Sequence, residues 1–534
     1  MRWLLTTLLT SALLAGCEGS IFSEARGPGG AAGGRTTAPD GPPPLAPVEV
    51  RRLSTFEFNN AVAALLGVAD AGAGLPPDER QSGFSRNVEQ RVDALFAERL
   101  QALAEQLGDS VAAARPASVV PCTATTAACR DQFIDRFATR AYRRPVTADE
   151  RAELTAVFTA VAAEGTFADG LSAVIATVLQ SASFLYVPAL GEPGAAGARR
   201  ELTRWEIASA LSFFLTASPP DDELLRAAGA GELSRADARA TQARRLLQTA
   251  AGKAQVTRFV RQWLGLETIN RKSDAAFDTL TPLYTAETAA FVEEVLYRDD
   301  GTLSTLLTAE YGVGPDALAT TYGATKLAAG RWSLAGTGRK GLLSQGSFLV
   351  AHAAPDHSGP VRRGLSVLRD VMCMSLAPPT GDVAVAAMVI PPVSSSQTTR
   401  QRFAAHSTNA ACAGCHKVID PIGFSFEHFD VMGRFRATEN GQPVDATGTL
   451  VGTDIDGQVD GAAGLAERLA SSANVQRCFA VKAARFTAGK SDATREEALL
   501  HAWEALPPAQ QPKLLDVLEA YAASDFFAVR EVTE

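Results

Sequence analysis

Cys412-Ala413-Gly414-Cys415-His416 reads CxxCH, and what these five residues can do depends on the backbone that carries them. On a helix, thiols three positions apart share one face. Both can then add to the vinyl groups of one haem, and the adjacent imidazole reaches the iron as an axial ligand. The flanks allow that helix: Asn409 to Val418 can form a helical turn, and Pro421 is expected to end it. This reading makes Cys412 and Cys415 the covalent attachment points of a single c-type haem, with His416 as the proximal ligand. Two other chemistries use the same letters. A zinc site needs four ligands, which Cys412, Cys415, His416 and His406 could supply. A CxxC redox pair needs no histidine and usually sits on a βαβ pattern, of which this stretch carries no sign. The sixth position on the iron is left open. His406, His352 and Met432 are distal candidates, joined by His357 and His428, with Met372, Met374 and Met388 behind them.

Away from the motif the chain reads as helix. Ser54-Thr55-Phe56-Glu57, Thr147-Ala148-Asp149-Glu150 and Thr203-Arg204-Trp205-Glu206 each place a hydroxyl three residues before a carboxylate and ahead of an apolar 3.6-residue period. Each is a capping box, in which hydroxyl and carboxylate satisfy backbone amides at a helix start. The first and third also share a Leu before the box and an aromatic inside it, consistent with a duplicated module or with convergence on good caps. Phe133, Ile134, Phe137, Ala138 and Ala141 form one helix stripe. Arg136, Arg140, Arg143 and Arg144 fall on the opposite face and at its end, where a solvated or salt-bridged surface is expected, with Pro145 as the stop. A helix pair is expected over 283–307 and an apolar helix over 341–351. After the motif the texture changes. Residues 443–461 alternate Val, Thr, Leu and Ile between Asp-Gly turns, which predicts a small hairpin. Asp454, Asp456 and Asp460 imitate part of a calcium loop, but no Glu closes it at the required position. Helices follow around Cys478 and from Pro512 to Ala523.

The N-terminus reads as an export signal. Arg2 precedes an apolar run from Leu4 to Leu14 that is too short to span a membrane, and Leu14-Ala15-Gly16-Cys17 resembles a lipobox. Cys17 is then the lipid-attachment residue; an ordinary signal peptide with an incidental cysteine is the alternative. Residues 18–47 are rich in Gly, Ala and Pro and cannot bury a core, so they read as a tether. A net charge of −9 with both signs interspersed argues against a nucleic-acid partner. Export also permits disulfides. Of seven cysteines, Cys17 takes lipid and two take haem. Cys122 and Cys129 are close enough in sequence to close a local loop, which leaves Cys373 with Cys478; the other pairings of these four stay formally open.

The body is too long for one core, and the expected organisation is serial. It comprises a signal peptide (1–16), a tether (17–47), three helical domains (48–115, 116–197, 198–335), a domain with the haem motif (336–440) and a C-terminal domain (441–534). The fold class is mainly α: a multidomain helical body with a c-type haem-motif segment and a small β-hairpin region near the C-terminus.

Several stretches together resemble one family. Arg52-Leu53-Ser54-Thr55-Phe56-Glu57-Phe58-Asn59-Asn60, with Leu65-Leu66-Gly67, resembles the opening of the planctomycete-type cytochrome c-like proteins. These are large exported proteins, also frequent in myxobacteria, built from serial domains of unknown function. Ala141-Tyr142-Arg143-Arg144-Pro145 is similar to their second block, and Leu202 to Leu225 with Gln262-Trp263-Leu264-Gly265 to their third. Arg339-Lys340-Gly341-Leu342-Leu343 and Ser358-Gly359-Pro360-Val361-Arg362-Arg363-Gly364 resemble the fourth, and Cys412 to Arg436 the haem-motif block. The last stretch, with Cys478 inside, is similar to the C-terminal domain. The resemblance implies an exported c-type haem protein and no particular substrate. It departs from the family in two ways: the additional cytochrome module of some members is lacking, and Met432 stands where another aliphatic residue is expected.

The expected function is electron transfer by a lipid-anchored, mono-haem protein on the periplasmic or cell-surface side of a membrane, docking a redox partner protein. A haem-dependent oxidoreductase is the first alternative. A structural or binding lipoprotein with a non-haem CxxCH is the second.

Overall fold

The computed structural model describes residues 45–192, 199–328, 330–374, 376, 394–408, 410–489, 493–504 and 513–532. The leader, Cys17, most of the tether, Met388 and Pro512 lie outside them. Short polar signals set the helix starts. Ser54 and Glu57 close a capping box at the head of helix Thr55–Leu66, Thr147 and Glu150 at Ala148–Glu164, and Thr203 and Glu206 at Arg204–Thr216. Thr166 and Asp169 form a fourth, with Asp as the carboxylate, at Phe167–Gln180. The chain is mainly helical, with small sheets of two or three strands.

The described residues cluster as one compact unit. Helices Thr55–Leu66, Ala94–Ala114, Ala127–Tyr142 and Phe167–Gln180 bury one apolar cluster around Phe58, Phe96, Phe133 and Phe137. A larger cluster runs from Phe84 through Phe259 and Trp263 to Phe479, Phe486 and Phe527, so sequence-distant helices share it. Strand Val529–Glu531 pairs antiparallel with Arg199–Glu201, and Pro47 forms an isolated bridge to Glu531. Glu49–Arg52 likewise pairs with Tyr186–Ala189.

The stripe Phe133, Ile134, Phe137, Ala138 and Ala141 is buried as its period requires. The basic end behaves differently from the solvated face expected of it. Arg140 and Arg144 do pair with Asp222 and Glu150, but Arg143 is 2 % exposed and has a φ of +61°. Its guanidinium donates to the carbonyls of Ala141, Ser183, Phe184 and Tyr186. A planar fork of five donors can saturate chain ends that no amide reaches, and that justifies burying it. Arg239 does the same for Ala522, Ala523 and Ser524, and Arg363 for Leu349, Phe426, Phe429 and Asp430.

Helices Phe277–Arg298 and Leu303–Thr308 supply the pair expected over 283–307. The 341–351 stretch is two short pieces, a 3₁₀ turn Leu342–Ser344 and a helix Gly346–Ala351, because Gln345 between them is extended. The expected hairpin forms from Thr447–Leu450 and Gly457–Asp460. The carboxylates of its turn are spent internally: Asp454 accepts from Ser472 and Asn474, and Asp456 from Gly452 and Thr453. Disulfides join Cys122 to Cys129 and Cys373 to Cys478. No helix among the described residues is long and apolar enough to cross a membrane.

Candidate functional site

The CxxCH motif lies in helix Ala410–Phe424, packed against helix Thr399–Thr408. Pro421 does not end this helix, which continues through it to Phe424. The reason is tertiary. Helix Pro360–Ser366 crosses the motif helix where both lack side chains: a Cβ on Gly364 would collide with the Ile419 carbonyl, and one on Gly423 with the Pro360 carbonyl. Two backbones in such contact hold the last turn helical despite the missing amide of Pro421.

The residues around this crossing are tied together by buried polar groups. Glu427 accepts from Ser358 at 2.8 Å and from Arg436 at 2.9 Å. Burial pushes the Glu427 carboxyl up, against the opposing pull of Arg436 and Arg363. Arg436 also reaches Glu439, which accepts from the Thr399 amide at 2.6 Å and hydroxyl at 2.8 Å. Helix Thr399–Thr408 is thereby fixed at its start relative to the motif helix.

Within this frame Cys412 and Cys415 are both free and half-buried, whereas Cys122, Cys129, Cys373 and Cys478 are in disulfides. His416 Nδ1 lies 2.8 Å from Asp420 Oδ1, one helical turn on. A carboxylate accepts only, so the imidazole donates from Nδ1 and its Nε2 lone pair is left for a ligand. His406 sits against His416, with ring centroids 4.4 Å apart at 62°. Its Nδ1 is 3.7 Å from the other oxygen of Asp420. Burial, and after it His416, lowers the His406 pKa. Asp420 itself is 1 % exposed. His406 Nδ1 and Asp420 Oδ2 are both buried and neither has a hydrogen-bond partner.

Other histidines and methionines named from the sequence are engaged elsewhere. His352 Nε2 is 2.8 Å from the Leu264 carbonyl and 3.3 Å from Ser366 Oγ, and burial pushes its pKa down to about 4. That ring nitrogen is therefore engaged with the chain itself. Met432 is fully buried beside Tyr284, Tyr322 and Trp332, with its carbonyl accepting from the Tyr284 hydroxyl. His357 Nδ1 accepts from the Gly359 amide, and His428 Nδ1 donates to the Arg436 carbonyl. Met372 is buried in the large cluster, against which Met374 packs. Among the described residues, the ligand atoms that lie within 4.8 Å of one another belong to His406, His416 and Asp420. The four ligands of the zinc alternative are not that set.

Two free thiols on one helix, followed by an imidazole with an oriented Nδ1 and an available Nε2, are the donor set that covalent haem attachment uses. The residues present therefore fit the group. Asp420, Glu427 and Arg363 were assigned no role from the sequence. Only Asp420 left a local signal, since positions 416 and 420 are one turn apart on any helix.

No curated protein and no solved structure matches the chain. Four family models match, in order along it. Residues 51–113 match PSD3 (DUF1587), 129–188 PSD5 (DUF1595), 202–324 PSD4 (DUF1592) and 339–439 PSCyt3 (DUF1588), each described as a protein of unknown function. The last span holds the CxxCH helix, its crossing partner and the Glu427 network. With these domains in series, the chain belongs to the planctomycete-type family of PSD and PSCyt domains of unknown function, and its cytochrome-like region is residues 339–439.

Proposed function

We propose that the protein is an exported mono-haem c-type cytochrome-like protein that transfers single electrons. One observation carries the reading. Of the cysteines in the described residues, only the two of CxxCH are free, and they precede an imidazole held by a buried carboxylate. Cys412 and Cys415 would hold the haem through thioethers and His416 Nε2 would meet its iron; the bound group supplies one-electron redox chemistry. The chain's own residues do the rest. Asp420 orients His416, the Gly364/Gly423 crossing holds the motif helix, and Glu427 with Arg436 anchors the helix that bears His406.

The two disulfides support an oxidising compartment. Lipid attachment at Cys17 would tether the body to a membrane through residues 18–47, leaving it to meet a redox partner protein. The serial division of the body belongs to the same reading.

The test is expression with a c-type haem maturation system, followed by a pyridine haemochrome spectrum of acid-acetone-extracted protein. A retained c-type band of one haem per chain is expected. The double variant Cys412→Ala/Cys415→Ala should lose the band while keeping its helical circular dichroism. No band from exported, correctly folded wild type removes the redox reading.

A further inference from the structure

We propose that Asp420 is a positioning residue on the His416 side of the haem, shared by two imidazoles, and that His406 is its second donor rather than the sixth iron ligand. This rests on the haem reading above.

The argument begins with burial. A carboxylate with no solvent contact is costly unless its oxygens are occupied. Asp420 is such a group, and among the described residues the donors facing it are imidazoles rather than a guanidinium or ammonium. One oxygen takes the His416 proton at 2.8 Å. The other has no hydrogen bond, and 3.7 Å away stands His406 Nδ1, also buried and also without one. Two orphaned atoms of complementary type that face each other need a shift of under about 1 Å to join.

Sharing one carboxylate also decides the side. Two histidines ligating one iron from opposite faces turn their Nδ1 atoms outward, roughly 8 Å apart with metal–nitrogen bonds near 2 Å. Here both Nδ1 atoms converge on one carboxylate, and the rings themselves are only 4.4 Å apart. With iron on His416 Nε2, His406 therefore lies on the same face as His416. Phe403, edge-on to His406 with centroids 5.0 Å apart, packs it there.

The arrangement has an electronic consequence with a definite sign. An imidazole that donates Nδ1–H to a carboxylate gains electron density and gives more of it to the metal. That favours ferric over ferrous iron and lowers the reduction potential. A proton from His406 on the second oxygen draws charge away from the first and moderates the effect.

The test is a redox titration of haem-loaded wild type, Asp420→Asn, Asp420→Glu and His406→Phe, with haem content counted by pyridine haemochrome. Asp420→Asn should raise the potential, and Asp420→Glu, which keeps the charge, should bring it back toward wild type. His406→Phe should lower the potential and leave the coordination spectrum as in wild type. An Asp420→Asn protein with haem bound and an unmoved potential overturns the proposal. So does a His406→Phe protein whose spectrum turns from six-coordinate low-spin to high-spin, which makes His406 the ligand. If Asp420→Asn fails to load haem, the His406→Phe spectrum and potential decide alone. Absence of covalent haem from wild type defeats the haem reading itself, a result distinct from either outcome.

Discussion

Glu57 and Asp420 are both carboxylates without solvent contact, and their surroundings are opposite. Glu57, at the head of the first described helix, meets Arg51 at 2.6 and 2.9 Å, Arg86 at 3.1 Å and the Ser54 amide at 2.9 Å. Every lone pair has a strong donor, and Arg86 carries the connection on to the carbonyls of Phe486 and Thr487 in helix Ala473–Ala488. Asp420 has one imidazole in hydrogen-bond contact and an oxygen left over. A saturated buried ion cluster has nothing left to give a ligand and acts as a fastener. A half-satisfied one beside an available ring nitrogen is where chemistry can be tuned. The disulfides differ in the same sense: Cys122–Cys129 closes a separation of 7 residues within the N-terminal helices, whereas Cys373–Cys478 closes one of 105 around the motif.

The largest expected effect falls on the region of the motif. Replacing Cys373 and Cys478 by Ser should cost about 5 kcal/mol in denaturant unfolding, since a loop of that length gains much entropy in the unfolded chain. Glu57→Gln comes next. It leaves two buried guanidinium groups without their counter-charge, and a loss of about 4 kcal/mol is expected in the same measurement. A loss under about 1 kcal/mol would mean that the Glu57 cluster is not the fastener described.

Acid should reveal the same cluster. Burial raises the Glu57 pKa, but Arg51 and Arg86 outweigh it and hold the folded value at about 2, against an ordinary 4.5. A depressed carboxylate contributes stability that is present above its ordinary pKa and lost as pH falls through the folded one. The expected loss is about 3 kcal/mol between pH 5 and 2, absent from Glu57→Gln. His352, lowered to about 4 from 6.5 by burial, acts in a higher window. The unfolded chain takes up that proton first, so stability begins to fall below pH 6.5. Thermal melts at stepped pH would separate the two windows, because His352→Gln removes the upper one alone.

Smaller effects sharpen the contrast. Serine at Cys122 and Cys129 should cost about 2 kcal/mol, the loop being short. Asp420→Asn should cost only about 1 kcal/mol, because its partners are imidazoles and one oxygen already lacks a bond. Equal unfolding losses in Asp420→Asn and Glu57→Gln would abolish the distinction between fastener and tuned site.

Features that arise within one helical turn or one hairpin were legible in the residues. Ser54 with Glu57, Thr147 with Glu150 and Thr203 with Glu206 each cap their helix as their spacing demands. The alternation after Ala446 pairs as strands, and the short and long cysteine pairs form. The reading erred where a distant segment answers a local signal. Pro421 is a helix stop on its own, but Gly364 and Pro360 pack against the turn it occupies. Arg143 ends a basic stripe and would face water, had Ser183, Phe184 and Tyr186 not brought carbonyls to it. Nothing local pairs His352 with Leu264 or the Met432 carbonyl with Tyr284; packing alone brings these partners together.

The sequence by itself determined the helical class, the helix starts and the hairpin, because each depends on covalent spacing and on hydrogen bonds a few residues long. Tertiary structure alone decided which nitrogen of His416 is held, why Asp420 is buried with one oxygen unpaired, and that His406 stands beside the same carboxylate. These are properties of contact between helices, and a buried carboxylate acquires its partners only when other segments arrive to exclude the water that would otherwise satisfy it.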